Sequence, residues 1–349
     1  MKIAQISTSW LRTPPTTYGG TEAVVSVLTE QLIALGCDVT LCATGDSVTQ
    51  AKFWSWFDAP TPGYRITDEM IHVVKAYAYL RQSHFDIIHN HTYHVGPAPL
   101  SLMQTPSVTT YHGAYDPVAT AFHANFASTH RYISLSKRHR ELLPQLNWID
   151  TVYNAVDTSE FTFETDKDDY LLLVGALLPW KGAHLAIQAA KTLGQHLKIV
   201  GLVQKIEDNS STQNMVESYY SQEIAPKVDG HLIEYVGEVS LSHKIALYQH
   251  AKALLVPLLW EEPFGLTMIE ALACGTPVIA FNKGAAPEII VHEQVGFLVN
   301  NVEEMLAATK QIERISPQAC REHVERHFNP QIMAQRYLEV YAQVISAYK

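Results

Sequence analysis

One stretch decides the fold of this chain: residues 260–277, which read WEEPFGLTMIEALACGTP. An apolar run at Ala253–Val256 leads into it and is typical of a buried strand. Pro263 and Gly265 then predict a turn, and the apolar residues that follow indicate a helix that ends at Gly275. A buried strand, a tight turn and a helix in succession form the repeating unit of an α/β protein with a parallel sheet.

The start of this predicted helix is a candidate anion-binding site. The first backbone N–H groups of a helix have no partner within it, and they lie at the positive end of the helix dipole. Gly265, Leu266 and Thr267 would supply those N–H groups, and Gly265 would allow a ligand to approach closely. The sequence therefore predicts that an anion binds at residues 265–267.

Two carboxylates, Glu262 and Glu270, flank this predicted anion site. Eight residues of helix rise about 12 Å, a length similar to that of a sugar, two phosphates and a ribose. Glu262 could accept hydrogen bonds from sugar hydroxyls and Glu270 from both ribose hydroxyls, because charged acceptors make the stronger hydrogen bonds. The alternative is two ordinary surface glutamates, but their densely apolar surroundings favour a functional pair.

Length and composition indicate a globular protein of two domains. The chain has 349 residues, of which 47% are hydrophobic and 17% charged, and such a length exceeds one ordinary core. The net charge of −10 argues against nucleic acid as a partner and against adhesion to an anionic membrane. No apolar run approaches the ~20 residues of a membrane span. We expect a cytoplasmic protein without integral membrane association, in which the four cysteines are reduced.

Short β-branched runs alternate with helical patterns along the chain, which predicts doubly wound parallel sheets. A helix capped by Thr21 and ended by Gly36 is predicted between the first two strands. The strand candidates are Lys2–Ile6, Asp38–Ala43, Ile87–His89, Ser107–Thr110, Arg131–Ser134, Ile149–Val152, Tyr170–Val174, Leu197–Gly201, Ile233–Val236, Ala253–Val256 and Pro277–Ala280.

A break in this rhythm at residues 158–168, which are polar and acidic, is typical of an interdomain linker. We therefore expect two Rossmann-like domains that face each other across a cleft. The first would comprise residues 1–158 and the second residues 159–329, with the last helix, residues 330–349, packing back on the first. An ordinary dinucleotide-binding dehydrogenase is disfavoured, because no GxGxxG lies between the first strand and the first helix.

The stretch at residues 260–277 resembles the Glu-seven-residues-Glu motif of the retaining family-4 glycosyltransferases, which have the GT-B fold. The resemblance covers essentially the whole chain. It implies that a hexose passes from a nucleotide-diphosphate sugar, most commonly a UDP-sugar such as UDP-glucose, to an acceptor hydroxyl, with no metal and no cofactor. The other matching segments are Gly19–Glu22, Tyr111–Gly113, Asn154–Asp157, Lys181–Gly182 and Gly284–Glu288.

In the first half, the resemblance implies that Gly19 and Gly20 approach the donor phosphates and that His112 contacts the transferred sugar. Two glycines at a helix start let backbone amides reach an anion, although such a pair alone is more often only a turn. His112 follows the apolar run Ser107–Thr110, and open α/β sheets bind ligands at the C-terminal ends of their strands. A loop histidine that is hydrogen-bonded for structural reasons is the alternative.

In the second half, the resemblance implies that Lys181 neutralises the leaving diphosphate and that the base lies around Gly237 and Glu238. Without that context, a lysine is more often a surface residue. Most family members place an arginine directly after the strand-end glycine, where this chain has Ala176. The leaving group thereby loses one cationic donor.

The histidines at positions 84, 89, 91 and 94 could form a metal site, but no cysteine or paired carboxylate completes a ligand set. We interpret them as strand-end residues, with His91 near the acceptor. That acceptor, a small molecule or a glycan, would contact loops at residues 9–18 and 111–116. Two other functions stay open: epimerisation or hydrolysis of a nucleotide sugar, and nucleotide-sugar binding with weak activity, which Ala176 would explain.

Overall fold

The computed structural model describes residues 1–113, 116–203 and 211–348. Its strands are β1 (Lys2–Ile6), β2 (Asp38–Cys42), β3 (Lys52–Trp54), β4 (Ile87–Asn90), β5 (Ser107–Thr110), β6 (Tyr132–Ser134), β7 (Trp148–Thr151), β8 (Tyr170–Val174), β9 (His196–Val200), β10 (Ile233–Gly237), β11 (Ala253–Val256), β12 (Val278–Phe281) and β13 (Gly296–Val299). Its helices are α1 (Gly20–Ala34), α2 (Ile66–Leu80), α3 (Pro97–Leu100), α4 (Pro117–Ala124), α5 (Lys137–Leu142), α6 (Ala183–Leu193), α7 (Ser211–Tyr219), α8 (Leu241–His250), α9 (Leu266–Ala273), α10 (Ala286–Ile289), α11 (Val302–Thr309), α12 (Pro317–His327) and α13 (Pro330–Ala347).

The chain divides into two compact units. Unit 1 comprises Met1–Ala155 and Pro330–Lys349, and unit 2 comprises Val156–Asn329. The sheet of unit 1 has the strand order β3-β2-β1-β4-β5-β6-β7, and that of unit 2 has the order β10-β9-β8-β11-β12-β13. All strand pairs are parallel. The predicted fold, two Rossmann-like α/β units, is confirmed.

The order of the strands reverses between β1 and β4 in unit 1 and between β8 and β11 in unit 2. In sheets of this kind, ligands bind beside the C-terminal ends of the strands at such a switch point. The strands themselves are largely buried, because helices connect successive parallel strands and cover both faces. The loops at the two switch points are therefore where functional side chains are expected.

The predicted strands agree with the observed ones to within one residue at either end, but the pattern missed β3 and β13. β3 has only three residues and lies at an edge of its sheet, so it carries little alternation. β13 begins at Gly296, a residue that is uncommon in strands. A Cβ atom at Gly296 would lie 2.0 Å from the carbonyl oxygen of Val278, so only glycine allows β13 to approach β12.

The predicted cap of α1 is wrong. The helix begins at Gly20, and Gly19 is its N-cap residue. Thr21 lies inside the first turn, where its hydroxyl is hydrogen-bonded to the hydroxyl of Tyr93 at 2.6 Å. Gly36 follows the C-cap residue with φ of 83°, which agrees with the predicted helix end.

The segment predicted as a linker, residues 158–168, belongs to unit 2. The guanidinium group of Arg321 donates to the carbonyl oxygens of Thr158 at 2.7 Å and Phe161 at 2.6 Å. The ammonium group of Lys167 donates to the carbonyl oxygen of Gln249 at 2.6 Å. Among the described residues, no helix is both long and apolar enough to cross a membrane, and the four cysteines are free thiols.

Unit 1 contains several buried histidines. Burial lowers the pKa of His130 to about 3 and the pKa of His139 to about 4. Imidazoles in such surroundings stay neutral at pH 7, because the charged form would lose its hydration. The buried histidines of this unit are His72, His89, His91, His123, His130 and His139.

We expect these histidines to make unit 1 sensitive to acid. The unfolded chain binds protons on them near pH 6.5, whereas the folded chain does not, so the free energy of unfolding falls as the pH drops below about 6.5, by up to about 1.4 kcal/mol per pH unit for each histidine. Urea unfolding at about pH 7.5, 6.5 and 5.5 measures how the free energy of unfolding changes with pH. His130→Gln can keep the hydrogen bond to Thr109 but does not titrate, so its slope should be shallower. An equal slope in both proteins would contradict the assignment.

Two glycines at the ends of α6 provide a second test. Gly182 precedes the helix with φ of 76°, and a Cβ atom there would lie 2.0 Å from the carbonyl oxygen of Pro257. Gly194 follows it with φ of 65°, and nothing lies within 4 Å of its added Cβ. Gly194→Ala should cost only the left-handed conformation, about 1–2 kcal/mol. Gly182→Ala should also meet the backbone, for a total of roughly 2–5 kcal/mol. Equal urea midpoints for the two variants would rule out the close approach.

Candidate functional site

The switch point of unit 2 brings Lys181 and Glu262 together. Lys181 lies in the loop after β8 and Glu262 in the loop after β11, and their side chains form an ion pair. The indole nitrogen of Trp260 donates to the same carboxylate oxygen at 3.0 Å, and the Lys181 ammonium lies 4.7 Å from the centre of the Trp260 ring. The side chains of Lys181 and Glu262 are 25% and 15% exposed, so the pair is shielded from water but accessible to a ligand.

Backbone contacts fix the two loops against each other. The amide of Leu259 donates to the carbonyl oxygen of Trp180 at 2.8 Å, and the close approach of Gly182 to Pro257 lies beside it. Lys181 is therefore held between two anchored neighbours. Its position next to the β11 loop follows from the backbone and does not depend on its own charge.

A third loop, after β12, supports Glu262 from the other side. Gly284 has φ of 56°, and a Cβ atom there would lie 2.4 Å from the amide nitrogen of Glu262. The amide of Ala285 donates to the carbonyl oxygen of Glu262 at 3.0 Å, and the amide of Gly284 donates to the Glu261 carboxylate at 3.1 Å. The glycine thus allows two loop backbones to touch, which fixes the backbone from which the Glu262 side chain extends.

The helix start beside Glu262 has the geometry that the sequence predicted. α9 begins at Leu266, and Gly265 precedes it in the left-handed region with φ of 96°. The left-handed conformation favours glycine at this position, and a Cβ atom there would also displace the methyl end of Met268, which lies 2.5 Å away. Leu266 and Thr267 are half-buried, and their amides belong to the first turn, whose N–H groups have no acceptor within the helix because no helical carbonyl precedes them.

Glu270 lies on α9 and is held by two residues of α8. The ammonium of Lys244 donates to Oε1 at 2.9 Å, and the hydroxyl of Tyr248 donates to Oε2 at 2.8 Å. Glu270 is 8% exposed. Each carboxylate oxygen has two lone pairs, so both oxygens can still accept a hydrogen bond from a ligand.

The predicted base-binding residues lie at the end of β10, an edge strand of the same sheet. Gly237 is the last residue of the strand and has φ of 83°, and Glu238 after it is exposed. The amide of Gly201 donates to the carbonyl oxygen of Gly237 at 2.9 Å, and the hydroxyl of Tyr235 donates to Gly201 at 2.8 Å. These bonds join the ends of β9 and β10.

Ala176, where the family usually has arginine, is buried in a small apolar cluster with Leu178 and Val216. It is 2% exposed. This position therefore contributes packing to unit 2 and no positive charge.

In unit 1, the structure brings His112 against His91 at the C-terminal ends of β5 and β4. Nδ1 of His91 lies 3.0 Å from Nε2 of His112, which is a hydrogen bond between the two rings. Burial lowers the pKa of His112 to about 3, so its imidazole is neutral at pH 7. His91 is completely buried.

The predicted glycine loop of unit 1 lies at the start of α1. Gly19 is buried with φ of 151°, and a Cβ atom there would lie 2.7 Å from the side chain of Pro15. Gly20 is exposed. Glu22, in the first turn of α1, is 4% exposed and accepts a hydrogen bond from the hydroxyl of Thr8. Burial raises the pKa of Glu22, which favours its neutral form beside a site proposed for phosphate.

The histidines at positions 84, 89, 91 and 94 do not share a ligand geometry. Among the described residues, no group of three or more His, Cys, Asp or Glu side chains is arranged to hold a metal ion. His84 is exposed and lies 3.5 Å from Asp86, whereas His89 and His91 are buried. Of the two predicted acceptor loops, residues 9–18 are described, and residues 114 and 115 of the other lie outside the described residues.

Several contacts of the site were not predicted. The sequence pointed to Glu262, Glu270 and His112 but did not predict the residues that hold them. Lys244 and Tyr248 are four residues apart on a helix, a spacing that places two side chains on one face, and this was the signal available for them. The partners missed are Trp260 for Glu262, Lys244 and Tyr248 for Glu270, and His91 for His112.

Comparison with known proteins matches both units to glycosyltransferases. Residues 157–325 match the family described as glycosyl transferases group 1, and residues 18–160 match the family described as glycosyltransferase family 4. The O-antigen chain mannosyltransferase RfbU of Salmonella typhimurium is 29% identical over 167 residues, which are 48% of this chain and 45% of RfbU. The chain therefore matches less than half of the length of that curated relative.

Solved structures extend the likeness of the fold to nearly the full chain. Sucrose-phosphate synthase from Thermosynechococcus elongatus has a TM-score of 0.80 at 20% identity, and the match covers 99% of this chain and 100% of the chain of the synthase. Anabaena HepE in complex with UDP-glucose has a TM-score of 0.74 at 19% identity, covering 98% of this chain and 100% of its own. With its two units matched in sequence and its fold shared throughout, the chain belongs to the family-4-like glycosyltransferases of the GT-B fold.

Proposed function

We propose that the protein transfers a hexose from a UDP-sugar to an acceptor hydroxyl, with retention of the anomeric configuration and without a metal ion. The observation that carries this proposal is the Lys181–Glu262 ion pair, which lies at the switch point of unit 2 beside the start of α9. The ion pair and the start of α9 together provide one cation, one carboxylate and a set of backbone N–H groups. These are the groups needed to bind a diphosphate and sugar hydroxyls.

Binding of the donor replaces the contact between Lys181 and Glu262 with contacts to the donor. Its diphosphate accepts hydrogen bonds from the amides of Leu266 and Thr267 and from the ammonium of Lys181. Glu262 is thereby released from Lys181 and accepts hydrogen bonds from the sugar hydroxyls. Because the cation and the carboxylate neutralise each other before the donor arrives, neither charge is left unpaired in a half-buried site.

Glu270 binds the ribose and the loop at Gly237 and Glu238 binds the base. The contacts from Lys244 and Tyr248 fix the Glu270 carboxylate before the ribose hydroxyls reach it, which lowers the entropy lost on binding. HepE was solved with UDP-glucose, which supports uridine as the base here. In unit 1, Gly19 and Gly20 approach the donor phosphates, and His112 contacts the transferred sugar.

The chemical step depends on stabilising the diphosphate as it leaves. Lys181 and the α9 amides face the charge that develops when the bond to the sugar breaks, and such fixed donors act most strongly in a site shielded from water. The leaving phosphate oxygen takes the acceptor proton, as the family resemblance implies. Since Ala176 supplies no charge, Lys181 carries more of this stabilisation than its counterpart does where an arginine is also present.

Donor binding tests the assignment of Glu270. Glu270→Gln should weaken UDP binding roughly 10- to 100-fold, because a hydrogen bond to a charged group contributes about 1.5–3 kcal/mol. Isothermal calorimetry with UDP measures the change, and thermal shifts with UDP-, GDP- and ADP-glucose test the choice of base. Glu303→Gln, on the exposed first turn of α11, is the matched control. Unchanged UDP binding by the Glu270 variant would refute the ribose assignment.

Turnover tests the role of Lys181. Lys181→Met should lower kcat roughly 100-fold or more, which is the typical effect of removing one donor that stabilises a developing oxyanion. Lys191→Met, an exposed lysine on α6, should leave kcat unchanged. Both are assayed by UDP release with an acceptor found in a screen of glycans and small hydroxyl compounds.

Two further measurements with the same acceptor test the stereochemistry of the transfer and the need for a metal. With ¹³C-labelled UDP-glucose, the product should keep the donor's anomeric configuration in the NMR spectrum, and EDTA should leave the rate unchanged. An inverted product, or loss of activity that Mg²⁺ restores, would overturn that part of the proposal. Fast donor hydrolysis without an acceptor would indicate a hydrolase instead.

A further inference from the structure

The His91–His112 pair is the outer end of a buried polar chain in unit 1. The ring of His89 lies 3.8 Å from the ring of His91, centre to centre. Nδ1 of His89 is 2.6 Å from the hydroxyl of Tyr341, and its Nε2 is 2.7 Å from the hydroxyl of Thr110. His89, His91, Thr110 and Tyr341 are all completely buried. The proposed function uses only His112 from this set.

We propose that His91 is a positioning residue that holds His112 as the tautomer protonated at Nδ1, so that His112 presents a hydrogen-bond donor to the transferred sugar. This inference rests on the proposed function for the contact between His112 and the sugar. The tautomer itself is a property of the protein alone.

The first step is that one ring must donate to the other. The two facing nitrogens, Nδ1 of His91 and Nε2 of His112, are 3.0 Å apart. Burial lowers the pKa of both residues, so each imidazole is neutral and carries a single proton. A neutral imidazole has one N–H donor and one acceptor nitrogen. The proton between the rings therefore belongs either to His91 or to His112, and this choice fixes both tautomers.

The second step is that the surroundings of His91 decide the choice. Its other nitrogen, Nε2, is buried and has no hydrogen-bond partner among the described residues. If His91 accepted at Nδ1, its own proton would lie on Nε2 as a buried N–H without an acceptor, and such orphaned donors are rarer in proteins than acceptors left unused. His91 is thus protonated at Nδ1 and donates to Nε2 of His112, whose proton must then lie on Nδ1.

The third step is that His91 cannot readily turn away. Its backbone amide donates to the carbonyl oxygen of Ile6 at 2.9 Å. Its ring packs against the ring of His89, with the centres 3.8 Å apart and the planes tilted by 44°. His89 is in turn held at both nitrogens by Tyr341 and Thr110. The ring of His91 therefore offers His112 a donor in a fixed direction, which is what a positioning residue must do.

The consequence for the reaction is that His112 orients the sugar and takes no proton. A donor at Nδ1 suits the oxygen of a sugar hydroxyl. An imidazole with so low a pKa is a poor base at neutral pH, which agrees with a proton that leaves on the phosphate.

The tautomer is measured directly by ¹H–¹⁵N correlation NMR of the imidazole rings. We expect His112 to show a protonated Nδ1 and a bare Nε2 in the wild-type protein. In His91→Asn the amide nitrogen takes the place of Nδ1 and can donate, so the His112 tautomer should persist. In His91→Gln the amide takes the place of Nε2, so the donor to His112 is lost and the two tautomers of His112 should mix.

His130→Gln is the matched control, because His130 is an equally buried histidine of unit 1 that is hydrogen-bonded to Thr109 and not to His112. It should leave the His112 signals unchanged. A wild-type His112 protonated at Nε2, or an identical His112 spectrum in the Asn and Gln variants, would overturn the inference. The wild-type spectrum needs no variant, so a variant that fails to fold does not remove the test.

Kinetics separate this inference from the proposed function. His91→Gln should lower kcat about tenfold, the equivalent of one hydrogen bond of roughly 1–1.5 kcal/mol, and His91→Asn should recover most of it. In a His112→Phe background, His91→Gln should have no further effect, because His91 acts only through His112. If His112→Phe is itself fully active, the sugar-contact role fails while the tautomer remains testable. If His91→Gln lowers kcat equally in both backgrounds, His91 has only a structural role.

Discussion

A carboxylate that is shielded from water must be paired, and this constraint organises the candidate site of unit 2. Both glutamates of the motif are paired: Glu262 with Lys181 of the loop after β8 and with Trp260 of its own loop, and Glu270 with Lys244 and Tyr248 of α8. The pairing partners also determine where each carboxylate points. A ligand therefore meets groups whose directions are already fixed, and it pays little entropy to order them.

The fold was largely predictable because the local periodicity of apolar residues determines which segments form strands and helices. Apolar runs of four or five residues alternate with helical patterns, and this rhythm indicated the central strands of both sheets. β3 and β13 were missed because three residues at a sheet edge, or a strand that begins at Gly296, carry too little pattern. The Thr21 cap was wrong because the residue types that cap a helix also form tertiary hydrogen bonds, and in this protein Tyr93 takes the hydroxyl.

The candidate site was predictable as a set of residues but not as a set of contacts. Spacing and residue type within the motif pointed to Glu262, Gly265 and Glu270, and the family resemblance pointed to Lys181. Nothing in the order of residues shows that Lys181 pairs with Glu262, since 81 positions separate them and only the parallel order of β8 and β11 brings their loops together. Contacts of this kind depend on the order of the strands in the sheet. The periodicity of the sequence predicts the fold class but not that order.

The helix that completes unit 1 follows unit 2 along the chain. α13 belongs to unit 1, and its Tyr341 holds the buried His89. A ribosome makes residues 1–155 first, then all of unit 2, and only then the segment that covers His89. During synthesis, the second unit can finish folding before the first one does, which reverses the usual order from the N-terminus. A nascent chain that stops short of α13 would have unit 2 complete but would lack the tyrosine that holds His89 in unit 1.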